Sequence, residues 1–118
     1  MSCYSVLVTS SPYDNDGASR ALAFCHQLLA DGQEIEQIFF YQAGIYNAMP
    51  QMNPPNDEVN VYQAWCDLKL KARTSLRVCM TAGDKRGVTG TGEDKAFEHT
   101  GLSDFFTSLH QCEHLVQF

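Results

Sequence analysis

The first forty residues alternate an apolar segment, an amphipathic helix and a second apolar segment, and this pattern restricts the fold more than any other feature. Residues 4–9 predict a strand, which the turn-rich residues 10–17 follow. The next helix has apolar residues at i, i+3, i+4 and i+7 spacing and ends at Gly32. Residues 34–41 predict a second strand. Such an arrangement forms the right-handed crossover unit of a parallel sheet.

The rest of the chain continues this alternation. It predicts helices over residues 59–73, 93–99 (weakly) and 103–110, and strands over residues 75–80 and 112–118. Asn56 or Asp57 is expected to cap the first of these helices, and Ser103 the last, with Phe106 buried. We therefore expect one domain over residues 1–118, an α/β fold of the three-layer α/β/α sandwich type with a mainly parallel sheet of four or five strands.

Composition and charge argue against several classes of protein. The net charge is −6 with a pI of about 5.0, which is unsuited to binding a nucleic-acid backbone. No apolar stretch is long enough to span a bilayer and no secretory leader follows Met1, so we expect a cytoplasmic protein. An odd number of dispersed cysteines without a Cys-x-x-Cys motif indicates free thiols in a reducing compartment. These are Cys3, Cys25, Cys66, Cys79 and Cys112.

Cys79 is the strongest candidate for chemistry. It stands at the end of the third predicted strand, at the edge where ligands gather in parallel sheets, and Lys85 and Arg86 follow it. A thiol reacts as a nucleophile only as the thiolate, which nearby cations stabilise. Six of the eight positive residues lie within residues 69–86, where Asp84 is the one acidic residue. They indicate either a positive field around Cys79 or a solvated helix end.

Other motifs favour structural roles. Cys25 lies on the apolar stripe of the first helix, where a free cysteine packs as a small hydrophobe. His110, Cys112 and His114 could share one face of an extended strand and bind a metal. However, His110 suits the last turn of the preceding helix, so we expect no metal site. The Gly-Thr-Gly of residues 90–92 is only a fragment of a dinucleotide fingerprint, and we expect no cofactor.

Several separate segments, in order and with matching spacing, resemble the DsrE/TusD family of sulfur-relay proteins, and its TusD branch most of all. They are Phe39-Phe40-Tyr41 followed by Gly44 and Tyr46-Asn47-Ala48; Asp57-Glu58 with Ala64-Trp65; Val78-Cys79 followed by Arg86-Gly87-Val88; and Gly101-Leu102 with Cys112 and Leu115-Val116-Gln117-Phe118. The likeness runs along nearly the whole chain. In one departure, Gly83-Asp84 stands where the family has a more apolar, alanine-rich helix start.

The resemblance implies a sulfurtransferase subunit that carries a persulfide on Cys79, with Lys85 and Arg86 stabilising its anionic forms. It implies transfer of sulfane sulfur from a TusA-like donor to a TusE/DsrC-like acceptor. It further implies a heterohexamer with TusB- and TusC-like subunits. The end use would be 2-thiolation of the tRNA wobble uridine, without direct nucleic-acid binding by this chain. Related DsrE-type subunits serve dissimilatory sulfur oxidation instead.

The long segment of residues 42–56 is predicted to be irregular, and loops of this length are usually functional or mobile. We expect it to cover the thiol or to form partner surface, and the candidate residues are Tyr41, Tyr46, Asn47, Met49 and Met52.

Two other functions remain open. The chain could be a non-catalytic assembly subunit in which Cys79 only packs. Alternatively, it could be a small cysteine-dependent hydrolase or deglycase, which needs a base such as His99 beside the thiol.

Overall fold

The computed structural model describes residues 2–88 and 96–118, which form a five-stranded sheet flanked by helices. The elements are β1 (Cys3–Val8), α1 (Gly17–Ala30), β2 (Glu34–Phe40), a 3₁₀ helix (Gln42–Ala48), α2 (Val61–Ala72), β3 (Ser75–Cys79), α3 (Met80–Lys85), β4 (Phe97–Thr100), α4 (Leu102–Leu109) and β5 (His114–Gln117). The strand order is β4-β3-β2-β1-β5, and every neighbouring pair is parallel. This confirms the predicted α/β sandwich and its sheet.

Side chains of β2 alternate between the two faces of the sheet, which separates the helices into two outer layers. On one face Phe40 packs edge-on against Trp65 of α2, with ring centroids 5.0 Å apart. On the other face Phe39 contacts Phe105 of α4, with centroids 4.9 Å apart. All four rings are buried. The sheet is therefore covered on both sides, as a parallel sheet requires.

Parallel pairing also brings the carboxyl ends of the strands to one edge. Thr100 at the end of β4 lies opposite Cys79 at the end of β3. The Tyr41 amide, just beyond β2, donates to the Val8 carbonyl at the end of β1 (3.0 Å). The segments that follow β1, β2 and β3 consequently meet there, as the sequence predicted.

The predicted irregularity of residues 42–56 and the predicted cap of the following helix need correction. Gln42–Ala48 is a 3₁₀ helix and not an irregular loop. Helix α2 begins at Val61, and the side chain of Asn60, not Asn56 or Asp57, accepts a hydrogen bond from the Gln63 amide (3.0 Å). A cap must stand immediately before the first helical turn, which the sequence placed too early.

The end of the chain needs three corrections. The predicted helix over residues 93–99 is wrong where it is described, because Phe97–Thr100 is strand β4; residues 93–95 and the Gly-Thr-Gly fragment lie outside the described residues. Pairing with β3 outweighs the weak local helix preference there. Helix α4 follows Gly101 and has no side-chain cap from Ser103. Phe106 is 53% exposed, since the sheet covers only the Phe105 side of α4.

Cys25 packs in the core, and its burial predicts a loss of stability in alkaline solution. Burial raises the pKa of the Cys25 thiol from 9.0 to about 12. The unfolded chain therefore ionises at lower pH than the folded one, so stability falls as pH rises through 9. Between pH 9 and 10 this thiol contributes a loss of about 1 kcal/mol, and Cys3, whose pKa is also raised to about 12, adds a loss of the same sign. Urea unfolding should show this loss in the wild type and a correspondingly smaller one in Cys25→Ala, whereas equal losses would contradict the assignment.

Across residues 2–88 and 96–118, every helix is too short or too polar to cross a bilayer.

Candidate functional site

A cavity of about 360 Å³ opens at the carboxyl edge of the sheet, beside the end of β3. Residues from four parts of the chain line it: Tyr41, Gln42, Cys79, Thr81, Ala82, Lys85, Arg86 and Leu102. They come from the β2 end, the β3–α3 junction, the turn after α3 and the start of α4. This is the edge at which parallel α/β sheets bind ligands.

Cys79 is the last residue of β3, and helix α3 begins at the next residue. Its extended backbone ends the strand while its side chain lines the cavity. The residue is only 2% exposed and belongs to the cavity lining, so we expect a reagent to reach the thiol through the cavity. Such a thiol is shielded from bulk solvent yet available to a group that enters the cavity.

Gly83 explains why the segment after Cys79 departs from an alanine-rich helix start. It is buried within α3, and the Val88 amide donates to its carbonyl oxygen (2.9 Å). A Cβ at this position would lie 2.5 Å from the Val88 carbonyl oxygen. Glycine therefore allows residues 86–88 to fold back on α3, and this turn keeps Lys85 and Arg86 beside the cavity.

The cationic stretch divides between the cavity and other parts of the fold. Lys85 and Arg86 line the cavity with Cys79, and Arg86 Nη1 donates to the Ala82 carbonyl (3.1 Å). Lys69 and Lys71 belong to the last turn of α2, where they suit the helix dipole. The positive residues of this stretch are therefore divided between the cavity lining and the end of α2.

Arg77 supports the fold on the α4 side and does not line the cavity. Its Nη1 donates to Gln37 Oε1 (3.1 Å) and Ser108 Oγ (2.7 Å), and its Nε lies 3.5 Å from Glu98 Oε2. Gln37 in turn donates to the Phe105 carbonyl (3.0 Å). This network joins β2, β3 and α4, and it removes one cation from the field that the sequence predicted around the thiol.

The proposed partner surface needs one correction. Asn47 is fully buried: its amide donates to the carbonyls of Ser10 (3.0 Å) and Gly44 (2.8 Å), and its Oδ1 accepts from Trp65 Nε1 (3.0 Å). It fixes the 3₁₀ helix on the core and offers no surface in this chain, because all its polar atoms face inward.

The other four partner-surface candidates are partly exposed. Tyr41 lines the cavity, whereas Tyr46 and Met49 are half-buried outside its lining. Two hydrogen bonds hold the Met52 side chain in place, since its Sδ accepts from the Tyr62 backbone amide (3.1 Å) and the Tyr13 hydroxyl (3.6 Å). Tyr41 therefore belongs to the described cavity lining, whereas Tyr46, Met49 and Met52 lie outside it.

The structure separates the residues of the suspected metal motif. His110 lies at the carboxyl end of α4, and His114 stacks on Tyr4 with centroids 4.6 Å apart. Cys112 instead contacts Cys3. Among the residues described, no three His, Cys, Asp or Glu side chains are placed to hold a metal.

Gln42, Thr81 and Leu102 line the cavity although the sequence did not single them out. Gln42 and Thr81 each lie two residues after the end of a strand, and this position is the feature of the sequence that could have identified them. Leu102 begins α4, and only the three-dimensional packing brings it to Cys79.

Comparisons with known proteins agree with this architecture. A family model described as "DsrE/DsrF-like family" matches residues 3–118. The curated sulfurtransferase TusD of Pectobacterium carotovorum is 34% identical, with 100% of both chains covered. That of Cronobacter sakazakii is 32% identical, with 98% of each covered. The crystal structure of the ychN protein from E. coli superposes with a TM-score of 0.85 over 100% of both chains at 13% identity, which shows a shared fold. The family resemblance read from the sequence is thereby confirmed.

Proposed function

Because the chain belongs to the DsrE/DsrF-like family, we propose that it is a sulfurtransferase that carries a persulfide on Cys79. The sulfurtransferase activity is supported by whole-length similarity to curated proteins of that name. The observation that carries the assignment to Cys79 is its position in a cavity that it shares with Lys85 and Arg86. Of the five cysteines, Cys79 alone belongs to the lining of this cavity as the structure describes it.

The proposed reaction consists of two sulfur displacements. The Cys79 thiolate attacks the outer sulfur of a donor persulfide, the donor S–S bond breaks, and the donor leaves as a thiolate. An acceptor thiolate then attacks the outer sulfur on Cys79, which is released as the thiolate. No net oxidation occurs, because each S–S bond formed replaces one that breaks. The ammonium of Lys85 and the guanidinium of Arg86 balance the negative sulfur at each stage.

The dimensions of the cavity suit this chemistry. A volume of about 360 Å³ admits a cysteine-bearing end of a polypeptide segment but not a folded domain. The burial of Cys79 limits contact of its persulfide to groups that enter the cavity between the two steps. The polar side chains of Gln42 and Thr81 offer hydrogen bonds to the backbone of the entering segment.

We propose a TusA-like donor, a TusE/DsrC-like acceptor and TusB- and TusC-like subunits as partners, in a cytoplasmic heterohexamer. The half-exposed Met80 and Phe106 lie on α3 and α4, the two helices that contribute to the cavity lining, and they supply apolar surface for such contacts. We take 2-thiolation of the tRNA wobble uridine as the end use, since the relatives named above are TusD proteins. A DsrE-type role in sulfur oxidation would use the same Cys79 chemistry with a different acceptor.

The described cavity lining contains no histidine that could act as the base of a cysteine hydrolase. His99 lies opposite Val78 in the β3–β4 pairing and is not part of the lining. Transfer between thiols needs no such base, so the lining favours transfer over hydrolysis.

A reconstituted relay tests the proposed function. A cysteine desulfurase, a TusA-like carrier, this chain with its partner subunits and a TusE-like acceptor are incubated with cysteine that contains radioactive sulfur. Label should pass to the acceptor only when this chain is present. Equal labelling of the acceptor without this chain would contradict a role in the relay. Labelling of the acceptor by an assembled complex in which Cys79 stays unlabelled would support the assembly-subunit alternative.

Replacing Lys85 or Arg86 with glutamine should slow sulfur loading by roughly 1.4- to fivefold each, since exposed charge pairs contribute about 0.2–1 kcal/mol. Loading of the wild type should also slow as salt is added, and the loading rate of a variant that carries both Lys85→Gln and Arg86→Gln should depend less on salt. Stopped-flow loading rates measure both effects. Lys71→Gln, on the exposed end of α2, is the matched control and should leave the rate unchanged. A rate that is equally salt-dependent in the double variant would contradict this role.

A further inference from the structure

Two cysteines that take no part in the proposed relay lie in direct contact. The Sγ atoms of Cys3 and Cys112 are 2.7 Å apart, although the residues are separated by 109 positions in the sequence. Both side chains are partly exposed. Cys3 begins β1 and Cys112 lies in the turn before β5. A disulfide needs only a further small approach of the two sulfurs, to about 2.05 Å.

The backbone holds the two thiols in this position. The Glu113 amide donates to the Cys3 carbonyl (3.3 Å), and the Cys112 amide donates to the Leu109 carbonyl (3.0 Å). The β1–β5 register then continues from Tyr4 opposite His114. The contact between the sulfurs is therefore fixed by strand pairing on one side and by the end of α4 on the other.

This pair stands at the opposite edge of the sheet from Cys79. Cys3 is at the amino end of β1, whereas Cys79 is at the carboxyl end of β3, which runs in the same direction. Neither Cys3 nor Cys112 belongs to the cavity lining. A function of the pair is thus separate from sulfur transfer.

We propose that Cys3 and Cys112 form a reversible disulfide when the protein meets a small-molecule disulfide, and that this bond fastens β5 to β1. Among the described residues, strand β5 is an edge strand that pairs only with β1, and three of its four residues are exposed. A covalent link between Cys112 and β1 closes a loop of nearly the whole chain, and a long loop is the case in which a disulfide restricts the unfolded chain most.

The exchange balances in two steps. The thiolate of one of the two cysteines attacks one sulfur of oxidised glutathione and releases one glutathione thiolate, leaving a mixed disulfide. The other cysteine then loses its proton, attacks the protein sulfur of the mixed disulfide and displaces the second glutathione. The protein gives up two electrons and two protons, which the two glutathione thiols receive. Burial, and then the adjacent Cys112 sulfur, raise the pKa of Cys3 to about 12.

The test oxidises the full chain with oxidised glutathione in a Cys79→Ser background, blocks remaining thiols and maps the peptides by mass spectrometry. We expect one cross-link, between the peptides of Cys3 and Cys112. The melting temperature of the oxidised protein should be about 5–15 °C above that of the reduced protein and should return to the lower value on reduction. Cys3→Ser should stop at a glutathione adduct on Cys112. Cys66→Ser, the matched control, should still form the cross-link.

Either of two results would overturn the proposal. One is a folded protein in which Cys3 and Cys112 both remain thiols or both carry glutathione at equilibrium. The other is a Cys3–Cys112 cross-link that leaves the melting temperature unchanged, since β5 would then not be fastened by it. Because Cys79 is absent throughout, neither result depends on the relay function.

Discussion

Cys79→Ser is expected to reduce sulfur loading and transfer by about a thousandfold or more, to the background of the assay. A serine hydroxyl is not ionised at neutral pH and cannot hold a sulfane sulfur. The substitution is nearly isosteric, so the buried position at the end of β3 should keep its packing. Loading is measured with labelled cysteine, a desulfurase and the carrier, and circular dichroism checks the fold.

The controls for this prediction are the other cysteines. Cys66→Ser changes a half-buried thiol on α2 outside the cavity lining and should load at the wild-type rate. Cys112→Ser removes one member of the Cys3 pair and should also load normally. If Cys79→Ser retains loading while Cys66→Ser or Cys112→Ser loses it, the sulfur is carried elsewhere.

Gly44→Ala is expected to destabilise the protein by about 3 kcal/mol, at the upper end of overpacking effects. A Cβ at Gly44 would lie 2.0 Å from the Val8 carbonyl oxygen and 3.2 Å from Thr9 Cα. Both contacts are with backbone at the end of β1, which is paired on both sides by β2 and β5, so no flexible side chain can move aside. Urea or thermal unfolding measures the change.

The same substitution should also weaken the site. The Gly44 amide donates to the Tyr41 carbonyl (2.9 Å), and Tyr41 lines the cavity. A displaced 3₁₀ helix would move Tyr41 and Gln42 and slow transfer even where the protein stays folded. Gly101→Ala is the matched control, because a Cβ there meets only Ser103 Oγ at 3.8 Å. Similar unfolding midpoints for the two variants would contradict this account of the Gly44 contact.

The sequence predicted those elements whose periodicity is strong. The stripe that contains Ala21 and Cys25 defines α1, and the apolar run that ends at Phe40 defines β2. Strand β4 was missed because four residues carry little local signal, and its conformation depends on pairing with β3. The 3₁₀ helix was missed for a related reason: it is fixed by long-range contacts of Asn47 with Ser10 and Trp65.

At the site, Cys79, Lys85 and Arg86 could be grouped from the sequence because they lie within eight residues at a strand end, and all three line one cavity. The sequence could not show that Arg77 lies apart from Lys85 and Arg86, because its hydrogen bond to Gln37 forms only in the packed fold. Nor could it place Leu102, which reaches the cavity from a distant part of the chain. The contact between Cys3 and Cys112 was also beyond local reasoning, since it arises from the pairing of the first and last strands.

The assignment of the persulfide to Cys79 is tested most directly by a peptide mass spectrum of the wild-type chain after loading by a desulfurase and a TusA-like carrier, taken without reductant. We expect one added sulfur on the peptide that contains Cys79, and its loss when a TusE-like acceptor is added. An intact, loaded complex in which the Cys79 peptide keeps its unmodified mass would contradict the assignment of the persulfide to Cys79.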